Sequence, residues 1–313
     1  MDWYSVVADS NHQIRSGWKF LAYSALLVGL FVMTKQLVGG LVLWLYPAII
    51  EIPPGDIRSL GLNAIVLFIP SAGALLMMGS VLDRIPLRAF GIGFHQRWLK
   101  DFGVGMGVAA VMVAATVAGS FLLGSARIEW SGSLAGIPVV ALTLIVLALS
   151  AFNEELVFRG YPLQVLMRGL GPWPPWPSMI LISSLFGLLH WRNPGATGLG
   201  IVNTVLAGFM LALAYLKTRS VWFPYGIHFA WNAGTSVLMG YPVSGLKTVS
   251  FIAIHVDGSS TLLGGGYGPE AGLLGTAVFA GAAIAVYRMG NMQVSPEVGA
   301  ALAENSGKLY VGK

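Results

Sequence analysis

The sequence predicts an all-α, polytopic membrane protein with about eight transmembrane helices, and three observations carry that prediction. Apolar residues make up 56% of the 313-residue chain and charged residues only 10%, against roughly 25% charged in soluble domains. The apolar residues fall into runs near the roughly 20 residues that cross a hydrocarbon core of about 30 Å. Lys and Arg gather in alternate segments between those runs, as expected where cytoplasmic loops hold the basic excess.

The first 17 residues read as a cytoplasmic N-terminal segment with no cleavable leader pattern, so the first span is expected to stay as an anchor. Spans are expected at about 18–47, 60–82, 102–124, 137–168, 178–190, 198–216, 220–240 and 271–289, within a transmembrane domain of 18–289. In the first, Lys35 is a lone cation, explained by snorkelling or by a helical break at Gly39 and Gly40. The fourth is too long for a straight crossing and is expected to bend at Pro162. The fifth is short and starts among Pro172, Pro174, Pro175 and Pro177, while Asn203 in the sixth is assigned to helix packing. Segment 83–101 reads as a cytoplasmic surface segment resting on anionic headgroups. Segment 241–270 reads as a long Gly-rich outer loop whose His255 and Asp257 are solvated. Residues 290–313 read as a polar, frayed tail.

With the N-terminus inside, the inner segments hold twelve basic residues: Arg15, Lys19, Arg84, Arg88, Arg97, Lys100, Arg168, Lys217, Arg219, Arg288, Lys308 and Lys313. The outer segments hold four, namely Arg58, Arg127, Arg192 and Lys247. This asymmetry predicts both termini on the cytoplasmic side. It also explains the formal charge of +5 without a nucleic-acid partner. The short loops and compact chain suit a bacterial inner membrane, with lipid as one partner. The chain has no Cys, which excludes disulfides and thiolate metal sites.

Acids are scarce inside the apolar runs, because a carboxylate at bilayer depth costs about 2.5 to 3.5 kcal/mol on insertion scales. Two adjacent ones, Glu154 and Glu155, nevertheless sit in the fourth span with Arg159 one turn later. Glu155 and Arg159 are i,i+4 neighbours suited to an ion pair, whereas Glu154 points about 100° away. A structural ion pair therefore accounts for Glu155 and Arg159 and leaves Glu154 unexplained. Phe186 and His190 share a face of the fifth span, and His228 and Asn232 share a face of the seventh. Either pair alone would be ordinary interhelical glue. Three such elements in one chain point instead to a solvated cavity between helices 4, 5 and 7. The two histidines lie roughly 18 and 12 Å along their spans, which lets them meet beneath the cytoplasmic leaflet.

These motifs, EExxxR, then FxxxH, then HxxxN on separate helices, resemble the CAAX prenyl endopeptidase and bacteriocin-processing (CPBP or ABI) intramembrane proteases over about 136–240. The resemblance implies an eight-helix core and a membrane endopeptidase near the cytoplasmic leaflet, cutting a CAAX-type tail, a bacteriocin or leader peptide, or a membrane protein. It implies catalytic roles for Glu154 and His190, which activate a water, and for His228 and Asn232, which stabilise the oxyanion. Glu155 and Arg159 orient the helix, and Phe186 covers His190. Glu154, His190 and His228 are also a donor set for zinc with an open position, although HxxxN is not the HExxH helix of zincins. Similarity to the better understood members favours a metal-free glutamate mechanism. Two other classes fit an intramembrane Glu pair. One is a non-catalytic peptide-binding or self-immunity scaffold of the same fold, whose signature would be a broken motif. The other is an ion-coupled transporter, whose signature would be an internal repeat.

Overall fold

The computed structural model describes residues 6–8, 13–48, 56–123, 126–130, 136–170, 173–250, 252–256 and 259–309, so Asp257 and Lys313 lie outside the described residues. The chain is mostly helical: α1 (Ser16–Leu45), α2 (Ile57–Leu75), α3 (Trp98–Leu122), α4 (Ile137–Glu155), α5 (Tyr161–Gly169), α6 (Trp176–Leu189), α7 (Gly198–Thr218), α8 (Trp222–Ala233), α9 (Ser260–Leu263), α10 (Leu273–Arg288) and α11 (Pro296–Glu304). Helix stands at each of the eight expected span positions. Among the described residues, five helical runs are long and apolar enough to cross a membrane: Ser16–Leu45, Ile57–Leu82, Trp98–Leu122, Ile137–Gly169 and Gly198–Thr218. The fifth, seventh and eighth expected spans are shorter. α6 begins at Trp176 with Pro175 as its N-cap and Pro177 in its first turn, α8 gives way at Ala233 to a π-turn over Gly234–Leu238, and α10 has 16 residues. α1 runs unbroken through Gly39 and Gly40, which leaves snorkelling as the account of Lys35.

The fourth run bends where the sequence places its proline. α4 passes into a π-turn at Leu156–Gly160, Gly160 adopts ψ −106°, and α5 restarts with Pro162 in its first turn. Pro162 has no N–H to continue the α-helical ladder, and single π-turns recur at functional sites.

Small residues set the closest helix contacts, as expected where lipid supplies no hydrophobic drive between helices. A Cβ on Gly226 would lie 2.2 Å from the Phe102 carbonyl oxygen, so α8 presses its backbone directly on α3. The main core cluster gathers Met112, Phe158, Met179, Phe186, Tyr215 and Phe279 from five elements.

A second cluster overturns two expectations. Tyr23, Leu75, Phe90 and Tyr161 pack with Val298, Ala301, Leu302 and Leu309. Over its described residues, 290–309, the tail is therefore not frayed: α11 buries an i,i+3,i+4 stripe that its polar average conceals. Segment 83–101 is likewise packed rather than laid on a surface, with Ile85, Ala89, Phe90 and His95 buried. His95 Nδ1 accepts from the Arg97 N–H, which puts its proton on Nε2, 2.9 Å from Ser220 Oγ. Burial holds this ring below the usual histidine range.

The two ends of the bundle differ. At one, Asp83 takes Lys19 Nζ at 2.6 Å and the Tyr161 hydroxyl at 2.8 Å, and its carbonyl takes Lys308 Nζ at 2.7 Å. Arg168 donates to the Gly307 carbonyl and Arg88 pairs with Glu304 at the same end. At the other, β1 (Ala126–Trp130) and β2 (Ile252–Val256) form an antiparallel ladder in which His255 faces Glu129 at 3.1 Å, exposed and remote in role from the core. Asn203 is buried and donates to the Glu270 and Gly272 carbonyls while accepting from Thr276, which ties α7 to the loop before α10.

Candidate active site

The buried centre of the bundle begins with Arg159, a fully buried guanidinium. Its Nη1 reaches Glu155 Oε1 at 3.2 Å, one turn earlier as the spacing predicts, and its Nη2 donates to the Gly208 carbonyl at 2.8 Å. Its plane also lies over Phe186, 5.0 Å from the ring centroid. A buried charge survives only when paired and hydrogen-bonded, and Arg159 has both.

Glu155 has a further partner that sequence spacing did not reveal. His228 Nδ1 lies 2.9 Å from the same Glu155 Oε1, across 73 residues of chain. A carboxylate oxygen beside a ring nitrogen calls for an N–H on Nδ1, so Glu155 orients His228 as well as Arg159. His190 is oriented in the same way by a different acceptor: its Nδ1 is 2.8 Å from the Phe186 carbonyl, which can only accept. In their neutral forms both rings therefore present a bare Nε2.

Both Nε2 atoms face Glu154. Its Oε2 stands 4.0 Å from His190 Nε2 and 3.7 Å from His228 Nε2, and this buried oxygen has no hydrogen-bond partner among the described protein groups. Phe186 packs between the two rings, at 4.7 Å from His190 and 6.0 Å from His228. Glu154, His190, His228 and Asn232 all line one cavity of about 510 Å³. The structure thus brings Glu154 together with both imidazoles, and places Asn232 on the same wall one turn beyond His228.

Three acceptors around one gap constrain what fills it. A water has two protons to donate, so one of Glu154, His190 and His228 must itself carry a proton to leave no acceptor unmet. Tetrahedral zinc with bonds of about 2.0 to 2.1 Å would hold its donor atoms about 3.3 Å apart. The gaps of 3.7 and 4.0 Å are wider, and within the span that one hydrogen-bonded water bridges. The side chains as they stand do not fit zinc.

One lining residue was missed from the sequence. Glu270, in the segment expected to be a solvated loop, is buried on the cavity wall, where Oε1 takes the Trp231 indole N–H at 2.9 Å and Oε2 takes the Ser244 hydroxyl at 2.8 Å. The polar rim of the cavity, Asn193, Ser244, Thr248 and Glu270, belongs to the end opposite the Asp83 cluster.

Residues 136–234 match the family model described as type II CAAX prenyl endopeptidase Rce1-like. No curated protein and no solved structure matches the chain. The matched segment holds α4 to α8 and all three motifs, and over these residues the chain is similar to the type II CAAX prenyl endopeptidase Rce1-like family.

Proposed function

We propose that the protein is an intramembrane endopeptidase of eight crossings, with both termini cytoplasmic, that hydrolyses a peptide bond with a water activated by Glu154. The observation that carries the reading is the unpartnered Glu154 oxygen, aimed into a cavity between two oriented imidazoles. Glu155 Oε2 is also without a partner, so what sets Glu154 apart is the pair of Nε2 atoms that its oxygen faces across the cavity.

The steps follow from the donors and acceptors. A water bridging Glu154 and His190 Nε2 gives a proton to Glu154 as its oxygen bonds to the substrate carbonyl carbon. The negative charge moves to the carbonyl oxygen, where Asn232 Nδ2 and the Nε2–H of a doubly protonated His228 hold it. Collapse breaks the C–N bond, and Glu154 passes its proton to the departing amine. Glu155 keeps His228 in place from behind, and Arg159 fixes Glu155 through their ion pair. The family match supports a protease, and the substrate is a prenylated CAAX-type tail, a leader or bacteriocin precursor, or a membrane protein.

The test compares purified wild type with Glu154→Gln and His190→Gln in nanodiscs, and the peptides in membranes of cells carrying each. A substrate that accumulates uncut only with the variants is expected. Wild-type turnover by Glu154→Gln would remove the assignment. Cleavage abolished by a chelator and restored by zinc would overturn the metal-free chemistry and leave the protease reading intact.

A further inference from the structure

A short extended segment follows the turn that walls the cavity after α8. Val243 and Leu246 exchange both backbone hydrogen bonds, at 2.9 and 2.8 Å, around a two-residue turn in which Ser244 and Gly245 have φ of 47° and 81°. Positive φ at both central positions marks the hairpin turn whose twist suits a pair of strands. The turn is held from three sides. Asn193 donates to the Ser244 carbonyl at 3.0 Å, the Ser244 N–H and hydroxyl donate to Glu270, and the Gly245 N–H donates to the Tyr267 carbonyl at 2.8 Å.

Past this turn, residues 247–250 form no helix, turn or bend. Leu246 directs its N–H and C=O to Val243, so strand alternation turns those of Lys247 and Val249 to the opposite edge. Among the described residues, Lys247 has no backbone hydrogen bond there and neither has the Val249 N–H, while the Val249 carbonyl takes the Thr248 hydroxyl alone, at 3.4 Å. A second pocket, of about 220 Å³, is lined by Lys247, Thr248 and Val249 in succession. Successive side chains of an extended chain point to opposite faces, so a space that touches three in a row lies along the edge between those faces. Across it stand Ile57 and Leu60 of α2 and Val139 and Thr143 of α4. The pocket shares Leu60 and Thr248 with the cavity that holds Glu154, so the unpaired edge leads to the site.

From this arrangement we propose that the second pocket is the groove for the substrate backbone: the polypeptide lies extended beside Lys247–Val249 as an added β-strand, bonded to the outward N–H and C=O groups of Lys247 and Val249, and passes between Leu60 and Thr248 to bring its scissile bond to Glu154. The proposal rests on the hydrolase reading above and deepens it. Bonds to the main chain hold a peptide whatever its sequence, and specificity then falls to its alternate side chains. The three tethers on the turn keep this edge fixed relative to the site, which holds the scissile carbonyl in register with Glu154.

The probe is a random decapeptide library offered to the purified protein in nanodiscs. The peptide cut fastest is remade with a single backbone N-methyl group at each position in turn, which removes one N–H and keeps the side chain. Away from the scissile bond itself, a loss of about tenfold or more in kcat/KM is expected at alternate residues on one side of the cut, with the residues between them within about threefold. Equal tolerance at all positions, or equal loss at all, would overturn the groove and leave the hydrolase reading intact. On the protein side, Lys247→Pro and Val249→Pro each delete one outward N–H, and both are expected to lower turnover of the same peptide at least about tenfold. Lys247→Ala and Val249→Ala keep the backbone and are expected to stay within about threefold. Wild-type turnover by both proline variants would equally overturn the groove. The N-methyl series uses only the wild-type protein, so it decides the matter where a proline variant fails to fold. A wild type that cuts no member of the library would end the hydrolase reading, and the groove with it.

Discussion

Glu154 and Glu270 line the same cavity, and the protein treats them in opposite ways. Glu270 sits in a loop, yet both of its oxygens are occupied, one by Trp231 and one by Ser244. Glu154 sits in a helix at the centre of the bundle, yet one buried oxygen has no partner. A satisfied buried acid holds elements together, here α8 and the loop after it. An unsatisfied oxygen costs stability, and Glu154 differs from Glu155, whose Oε2 is also unpartnered, in facing two Nε2 atoms in an open cavity.

The sharpest way to break this contrast is to make the two as nearly alike as an amide allows. Glu154→Gln removes the base while preserving shape, and activity is expected to fall at least about 10³-fold. It also removes a buried carboxylate oxygen that has no hydrogen-bond partner, so the thermal midpoint in detergent is expected to hold or rise. A midpoint several degrees lower would mean that Glu154 is a structural acid like Glu270. Next in size is His228→Gln, which disconnects the oxyanion side from Glu155. A loss of about 10² to 10³ in kcat is expected, with KM little changed, since the lost donor acts only on developing charge. An effect confined to KM would place His228 in substrate binding instead.

Glu270→Gln should show the reverse profile. An amide has one accepting oxygen where the carboxylate has two, so either Trp231 or Ser244 loses its acceptor. The expected cost is about 1 to 3 kcal/mol of stability, with activity held within about tenfold, read from unfolding midpoints and turnover on the same preparation. A loss of activity as deep as that of Glu154→Gln, without loss of stability, would make Glu270 part of the chemistry.

The motifs were legible because their partners are close in sequence or repeat at helical spacing. Arg159 is one turn from Glu155, Phe186 one turn from His190, and the bend follows from Pro162. What the sequence hides are partners joined only by folding. The bond from His228 to Glu155 spans 73 residues, and that from Glu270 to Trp231 spans 39. Glu270 also follows a run of glycines, with no periodicity to mark it as buried. The tail misled for a different reason: its polar average masks Val298, Ala301 and Leu302, a stripe too short to stand out from composition.

The smallest expected effect comes from the acid that resembles Glu270 most closely but lies outside the cavity. Asp83 joins α1, the end of α2 and α5 through Lys19 and Tyr161, and its side chain is 12% exposed. Asp83→Asn keeps one acceptor and loses the ion pair, and water at the bundle end can replace part of what is lost. A cost of about 1 kcal/mol is therefore expected, smaller at high salt if the Coulomb attraction to Lys19 contributes to it. Turnover should be unchanged, because nothing at this end reaches Glu154 or the polar rim. Lys308 bonds the Asp83 carbonyl rather than its carboxylate, so α11 should stay docked in the variant, and its protection from proteolysis checks that directly. If Asp83→Asn instead lowered turnover while leaving stability intact, the packed basic end would be coupled to the site, and the contrast between a structural end and a chemical centre would no longer hold.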